Sequence, residues 1–173
     1  MDWRERGAIT SVKNQSSICL AGIEGLLHNV TGKLVELSVQ QLIDCAVNDY
    51  TFGCNGGLAT RAYTYVRDNK GITLEEDYPF HGFQGPCNQQ KATQFQIFQI
   101  SGCYSEFGSE ADLLKAVVGQ PVSIDINASS HEFQLYESGV FTGPYGVEPN
   151  HVVTAIGYRT SEDGIKYWIL KNS

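Results

Sequence analysis

The stretch Val12-Lys13-Asn14-Gln15-Ser16-Ser17-Ile18-Cys19-Leu20-Ala21, taken with Asn150-His151 and Lys171-Asn172-Ser173 far downstream, holds the residue types that could do chemistry. A thiol attacks a carbonyl carbon effectively only as the thiolate, so it needs a base alongside, and the base needs a group that holds its orientation. Cys19, His151 and Asn172 supply a thiol, an imidazole and an amide. They lie more than a hundred residues apart along the chain, and only the fold can bring them together.

Composition bounds what could carry such a site. With 173 residues, 42% of them hydrophobic and 18% charged, the chain can bury a core and form one compact unit or two small lobes. Twelve Lys and Arg against 19 Asp and Glu give a formal net charge of -7 with no basic run, which argues against a nucleic-acid partner and for a protein or peptide one. No segment reaches the roughly 20 consecutive apolar residues that a membrane helix requires. Met1-Asp2-Trp3-Arg4 begins without a basic then apolar leader, which says nothing against a secreted or vacuolar destination. Five cysteines leave at least one outside any internal pairing, as a thiol enzyme needs.

The elements that must position these groups divide into a helical first half and a strand-rich second half. Ile23 to Val30 spaces apolar residues for a core helix that stops at Thr31-Gly32. Ser38 is an N-cap for a helix with Val39, Leu42 and Ile43 on one face. Leu58 to Asn69 is a third helix, and Glu110 to Val118 a short one further on. Phe95 to Ile100, Pro121 to Ile126, Gly139 to Phe141, His151 to Tyr158 and Tyr167 to Leu170 read as strands, for which an antiparallel, barrel-like sheet is expected. The loop from Gly82 to Lys91 is the expected junction between lobes.

Ordered along the chain are Asp2-Trp3-Arg4, Val12-Lys13-Asn14-Gln15, Leu37 to Cys45, Gly53-Cys54-Asn55-Gly56-Gly57, Tyr78-Pro79, Gln120-Pro121-Val122-Ser123, Gly139 to Pro144 and Lys171-Asn172-Ser173. In these motifs the chain resembles the papain family of cysteine endopeptidases, and its plant members above all. The resemblance implies an α+β fold with two lobes: a mainly helical left lobe, residues 1–81, and a β-rich right lobe of antiparallel barrel-like sheet, residues 82–173, with the active cleft between them. It also implies peptide-bond hydrolysis by a Cys-His-Asn mechanism, with His151 as base, Asn172 orienting the imidazole and Gln15 helping to hold the oxyanion. His151 and Asn172 follow Cys19 at about the 130 to 150 residues expected of that family. No metal or organic cofactor is implied.

Further roles come from the same resemblance. Gly56-Gly57 corresponds to a cleft wall whose bare backbone pairs with an extended peptide, and Leu58, Ala59, Pro149 and Asn150 would line the neighbouring apolar pocket. Asp125 stands where the family has a small apolar pocket residue. If it points inward it favours a basic substrate side chain, and the other reading is a strand residue facing solvent. Cys45 and Cys87 correspond to a left-lobe disulfide, whereas Cys103 has no counterpart in the family and, as a thiol at a strand end, is expected to be buried and inert.

The nucleophile motif departs from the pattern. Cys19 stands four residues after Gln15, whereas the family places a half-cystine at three and the nucleophile at six, and some seven helical residues before Gly22 are absent. Cys19 is therefore either the nucleophile or a disulfide partner of Cys54. The chain also stops at Ser173, before the family's last strands, so a missing carboxy-terminal region is expected. The activity expected is that of a cysteine endopeptidase; the alternative is a catalytically inactive homologue that binds peptides or serves in storage or defence. A peptide or protein substrate, or a protein inhibitor in the cleft, is the expected partner of a monomer without nucleic-acid or membrane ligands. The expected location is the secretory pathway: vacuolar, lysosomal or extracellular.

Overall fold

A computed structural model describes residues 1–12, 20–47, 53–94, 96–103 and 108–172. Gln15 and Cys19 lie outside the described residues, as does Phe95. The helical side holds α1 (Ala21–Thr31), α2 (Val39–Cys45), a single 3-10 turn at Gly53–Asn55, α3 (Ala59–Asp68) and α4 (Gln89–Gln94). Then come α5 (Glu110–Gly119), β1 (Val122–Ile126), the one-turn α6 (His131–Gln134), β2 (His151–Thr160) and β3 (Lys166–Lys171), the strands forming one antiparallel sheet in the order β1-β2-β3.

Each early helix forms for a local reason. The Ser38 hydroxyl accepts the Gln41 backbone N–H at 2.9 Å, the N-cap contact expected, and so satisfies one of the amide donors that every helix start leaves open. Gly32 ends α1 in the left-handed region at φ 72°, its N–H bonded to the His28 carbonyl at 2.7 Å. Leu20, Ile23 and Leu27 of the α1 segment then meet Leu37, Leu42, Ile43, Val66, Ile72 and Ile100 in one buried cluster. Burying each such side chain contributes about 1.5 to 3 kcal/mol.

A polar seam ties the chain around α2. Asp44, buried, accepts from Gln40 Nε2 at 2.8 Å, the Tyr78 hydroxyl at 2.8 Å and the Gly85 N–H at 2.7 Å. Next to it Cys45 and Cys87 form a disulfide, S–S 2.07 Å, the pairing that the resemblance implied. The Tyr78 hydroxyl is pushed above its ordinary pKa, first by burial and also because it donates to the Asp44 carboxylate. The 78–87 segment is thus held against α2 by hydrogen bonds and a covalent link together.

Packing does not follow chain order strictly. Ala92, Phe98 and Ile100 lie against the helical core, while the first eight residues cross to the sheet. Asp2 bridges Gly157, and Trp3 N–H donates to the Ile156 carbonyl at 2.9 Å, extending the sheet on the edge of β2 beyond the reach of β1. Trp3 Nε1 donates to the Val117 carbonyl at 2.7 Å, which fixes α5 on the same face. Asp2 is nearly fully buried and accepts from Arg4 (2.7 Å) and Arg159 (2.9 Å). Hydrogen bonding from Arg4, reinforced by the charges of Arg4 and Arg159, holds its carboxyl below the usual range against the opposing cost of burial.

Two expected strands are not formed as strands. Phe98 makes only an isolated bridge to Ile72, and Gly139–Phe141 is loop, with Phe141 packed edge-on against Phe133 and Tyr136. Alternating apolar residues suit a pleated surface, but a strand also needs a neighbour to complete its hydrogen bonds. Phe141 satisfies its apolar surface by ring contacts with α6 instead.

Candidate active site

His151 is the first residue of β2 and pairs in register with Ile126, the last of β1. Asn172 follows directly on β3, whose Lys171 pairs with Thr154. Adjacent antiparallel strands therefore bring residues from 151 and 172 to the same end of the sheet, where His151 Nε2 and Asn172 Oδ1 stand 2.7 Å apart. An amide oxygen accepts only, so this contact fixes the imidazole tautomer with the proton on Nε2. Nδ1 is left as the basic atom.

Behind Asn172 the chain is anchored in the interior. Lys171, 6% exposed, donates from Nζ to Thr10 Oγ1 at 2.8 Å, and Thr10 donates to Glu24 Oε2 at 2.5 Å. Glu24 Oε1 accepts the Leu37 N–H at 2.9 Å, so one charged group on α1 and one on β3 are satisfied through a shared hydroxyl. The sequence reading assigned neither residue a role. A charged residue in the middle of the apolar α1 stretch was the available signal, because burying it requires a partner.

A groove of about 1000 Å³ separates the helical side from the sheet. Gly22, Ile23, Leu58, Ala59 and Tyr63 form one wall; Pro121 to Asp125, Pro149 and Val152 form the other. Of the residues singled out from sequence, the fold brings Leu58, Ala59, Asp125 and Pro149 to this one groove. Gly56 and Gly57 immediately precede its Leu58 edge, and Gly56 adopts φ 94°, a backbone conformation that a side chain disfavours. Asn150 sits between Pro149 and His151, but its side-chain Oδ1 accepts the Ala128 N–H at 2.9 Å, bracing the turn after β1. The Tyr63 hydroxyl and Ser123 Oγ meet at 2.5 Å across the groove, a link that sequence reasoning missed. Tyr63 lies four residues after Ala59 on α3 and so shares its helix face, which was the signal for it.

One cysteine expectation changes, that for Cys103. Cys54 carries a free thiol, its sulfur 4.0 Å from the Gly82 carbonyl, while the alternative roles expected of Cys19 fall outside the described residues. Cys103 is exposed rather than buried, on the groove wall with its sulfur 3.8 Å from the Thr60 carbonyl. It follows the last apolar residue packed on the helical core, Ile100, and the chain turns outward there. Among the described residues no group of three or more His, Cys, Asp or Glu is arranged to hold a metal ion, and no helix is long and apolar enough to cross a membrane.

Comparison with known proteins identifies the family. Over residues 1–173 the chain matches the papain family of cysteine proteases and belongs to that family. It is 43% identical over 182 residues to the cysteine endopeptidase RepA of Oryza sativa subsp. japonica, covering all of this chain and 47% of that protein. The ragweed pollen allergen cysteine protease Amb a 11, in its proform, superposes with TM-score 0.89 at 41% identity, over 99% of this chain and 54% of that one. Bromelain protease from Ananas comosus, in complex with the E64 inhibitor, gives TM-score 0.87 at 38% identity, over 100% of this chain and 81% of that one. The chain spans about half the length of the curated relatives it matches. The architecture is the papain-like α+β fold, helical on one side and antiparallel sheet on the other.

Proposed function

We propose that the protein is a cysteine endopeptidase that cleaves peptide bonds in the groove between its lobes. The observation that carries this reading is the 2.7 Å contact between His151 and Asn172. With Nε2–H held by the amide oxygen, Nδ1 is free to take a proton from a thiol, and the thiol assigned to it is Cys19. The resulting thiolate attacks the scissile carbonyl carbon. Gln15 and a backbone amide hold the oxyanion; His151 returns the proton to the leaving amine, and water then releases the acyl group. Gly56 and Gly57 offer backbone hydrogen bonds to an extended peptide, and Leu58, Ala59, Pro149 and Asn150 border the site that receives one of its side chains.

An oxidising compartment of the secretory pathway belongs to the same reading, because the Cys45–Cys87 disulfide persists only where thiols are not kept reduced.

The test is covalent labelling at acidic pH with an electrophile aimed at activated thiols, followed by peptide mapping, beside an assay of peptide hydrolysis. Cys19 should be the modified residue in preference to Cys54 and Cys103, and hydrolysis should fall roughly 10²- to 10⁴-fold in His151→Ala, the usual contribution of a positioned general base. A folded protein that leaves Cys19 unmodified and hydrolyses no peptide would overturn the proposal in favour of a non-catalytic, peptide-binding homologue.

A further inference from the structure

Among the described residues four charged side chains line the interlobe groove, and three of them are already engaged. Asp112 accepts from the Ser109 backbone and hydroxyl and from Lys115 Nζ at 3.3 Å. These contacts, the Ser109 hydroxyl first, hold its carboxyl below the ordinary range. Glu110 Oε1 accepts the Trp168 indole N–H at 3.1 Å. Lys115, the one cation on the wall among the described residues, is therefore spoken for by Asp112. Asp125 differs: it is exposed and has no ion-pair or hydrogen-bond partner among the described residues.

Its place in the sheet says where it can act. Asp125 pairs in register with Val152, the residue after His151, so its carboxylate stands on the strand pair that presents the imidazole. Beside it the groove offers Leu58, Pro149 and Val152, all apolar. An apolar sleeve with one unpaired carboxylate is complementary to a side chain with a methylene stem and a cationic head. It is unfavourable for a carboxylate, which would face a like charge with no uncommitted cation among the described lining residues.

We propose that Asp125 sets the side-chain preference of this groove, selecting peptides that place an Arg or Lys in it and rejecting those that place an Asp or Glu there. The proposal rests on the groove being the peptide site of the preceding subsection. The stem of the basic side chain packs along Leu58, Pro149 and Val152, and its cation meets the Asp125 carboxylate.

The experiment measures both binding and cleavage with peptides identical except for one residue, Arg, norleucine or Glu, placed in turn at each of four consecutive positions. Binding is read by fluorescence anisotropy with copies N-methylated at the scissile bond, so that it does not depend on turnover. At one position Arg should bind and be cleaved about fivefold better than norleucine, the scale of a partly exposed ion pair, with Glu weakest. Asp125→Asn should bring the Arg to norleucine ratio to about one, Asp125→Glu should keep it, and Asp125→Lys should invert the order of Arg and Glu. Unchanged thermal unfolding of the variants separates loss of selectivity from loss of fold. Equal affinity for the three peptides, or a preference for Arg that survives Asp125→Asn, overturns the proposal. Cleavage without charge preference overturns it while leaving the peptidase reading intact, whereas charge-selective binding without cleavage supports it and overturns that reading.

Discussion

Asn172 owes its position to the residue before it. Lys171 is anchored in the interior through Thr10 to Glu24, so the strand end that carries the amide cannot drift from the imidazole without exposing or orphaning two buried charged groups. Asp2 makes a similar anchor at the opposite end of β2, where it receives Arg4 and Arg159. Because its folded-state pKa is lowered, the stability it contributes is present above the unfolded value of about 3.9 and is lost as pH falls through the folded value. Asp2→Asn should therefore cost about 1 to 2 kcal/mol at pH 7, the scale of a charge-assisted hydrogen bond. The gap from the parent should narrow as pH drops below about 4. Urea unfolding of both proteins across that range checks the sign, and a gap that widens toward acid would exclude this role for Asp2.

At the scale of elements, the contact between α1 and the segment entering β1 sets how closely the helical side approaches the sheet. A Cβ on Gly25 would stand 2.4 Å from Pro121 Cγ, a ring that cannot swing aside. Gly25→Ala should accordingly destabilise the fold by about 1 to 3 kcal/mol, as overpacking does, even though alanine is the better helix former by roughly 1 kcal/mol. A raised melting temperature in that variant would show that the helix and the proline are not in contact. Gly22 makes a milder approach, its Cβ position lying 3.0 Å from the Tyr63 hydroxyl. The same face of α1 thus needs small residues at two successive turns, and the groove opens where they lie.

For the whole molecule, the disulfide and the α2 seam act on one loop. Cys45 and Cys87 close 42 residues, which in the chain-entropy account contributes about 4 kcal/mol by restricting the unfolded chain. Cys45→Ser paired with Cys87→Ser should lower the stability measured by chemical denaturation by about that amount. The His151 to Asn172 pairing lies across the groove on the sheet and should persist in whatever fraction remains folded. Retention of full stability in the double variant would mean that the Asp44, Gln40 and Tyr78 hydrogen bonds restrain the segment by themselves.

The sequence by itself determined α1, α2, α3 and α5 and three of the strands, but not the short α4 and α6, since Ser38 and Gly32 are local start and stop signals and the apolar spacing of α1, α2 and β2 is read within one window of residues. It also placed His151 and Asn172 at corresponding strand ends, through motifs that resemblance makes recognisable; their catalytic role is the proposal above. Tertiary structure alone decided that Cys54 and Cys103 are free thiols, that residues 1–8 complete the sheet edge, that Phe141 packs as a loop, and that Glu24 is joined to Lys171 through Thr10. Each of these depends on a partner at long sequence separation, and no local pattern encodes which distant group will arrive to satisfy a buried charge, an open strand edge or a sulfur.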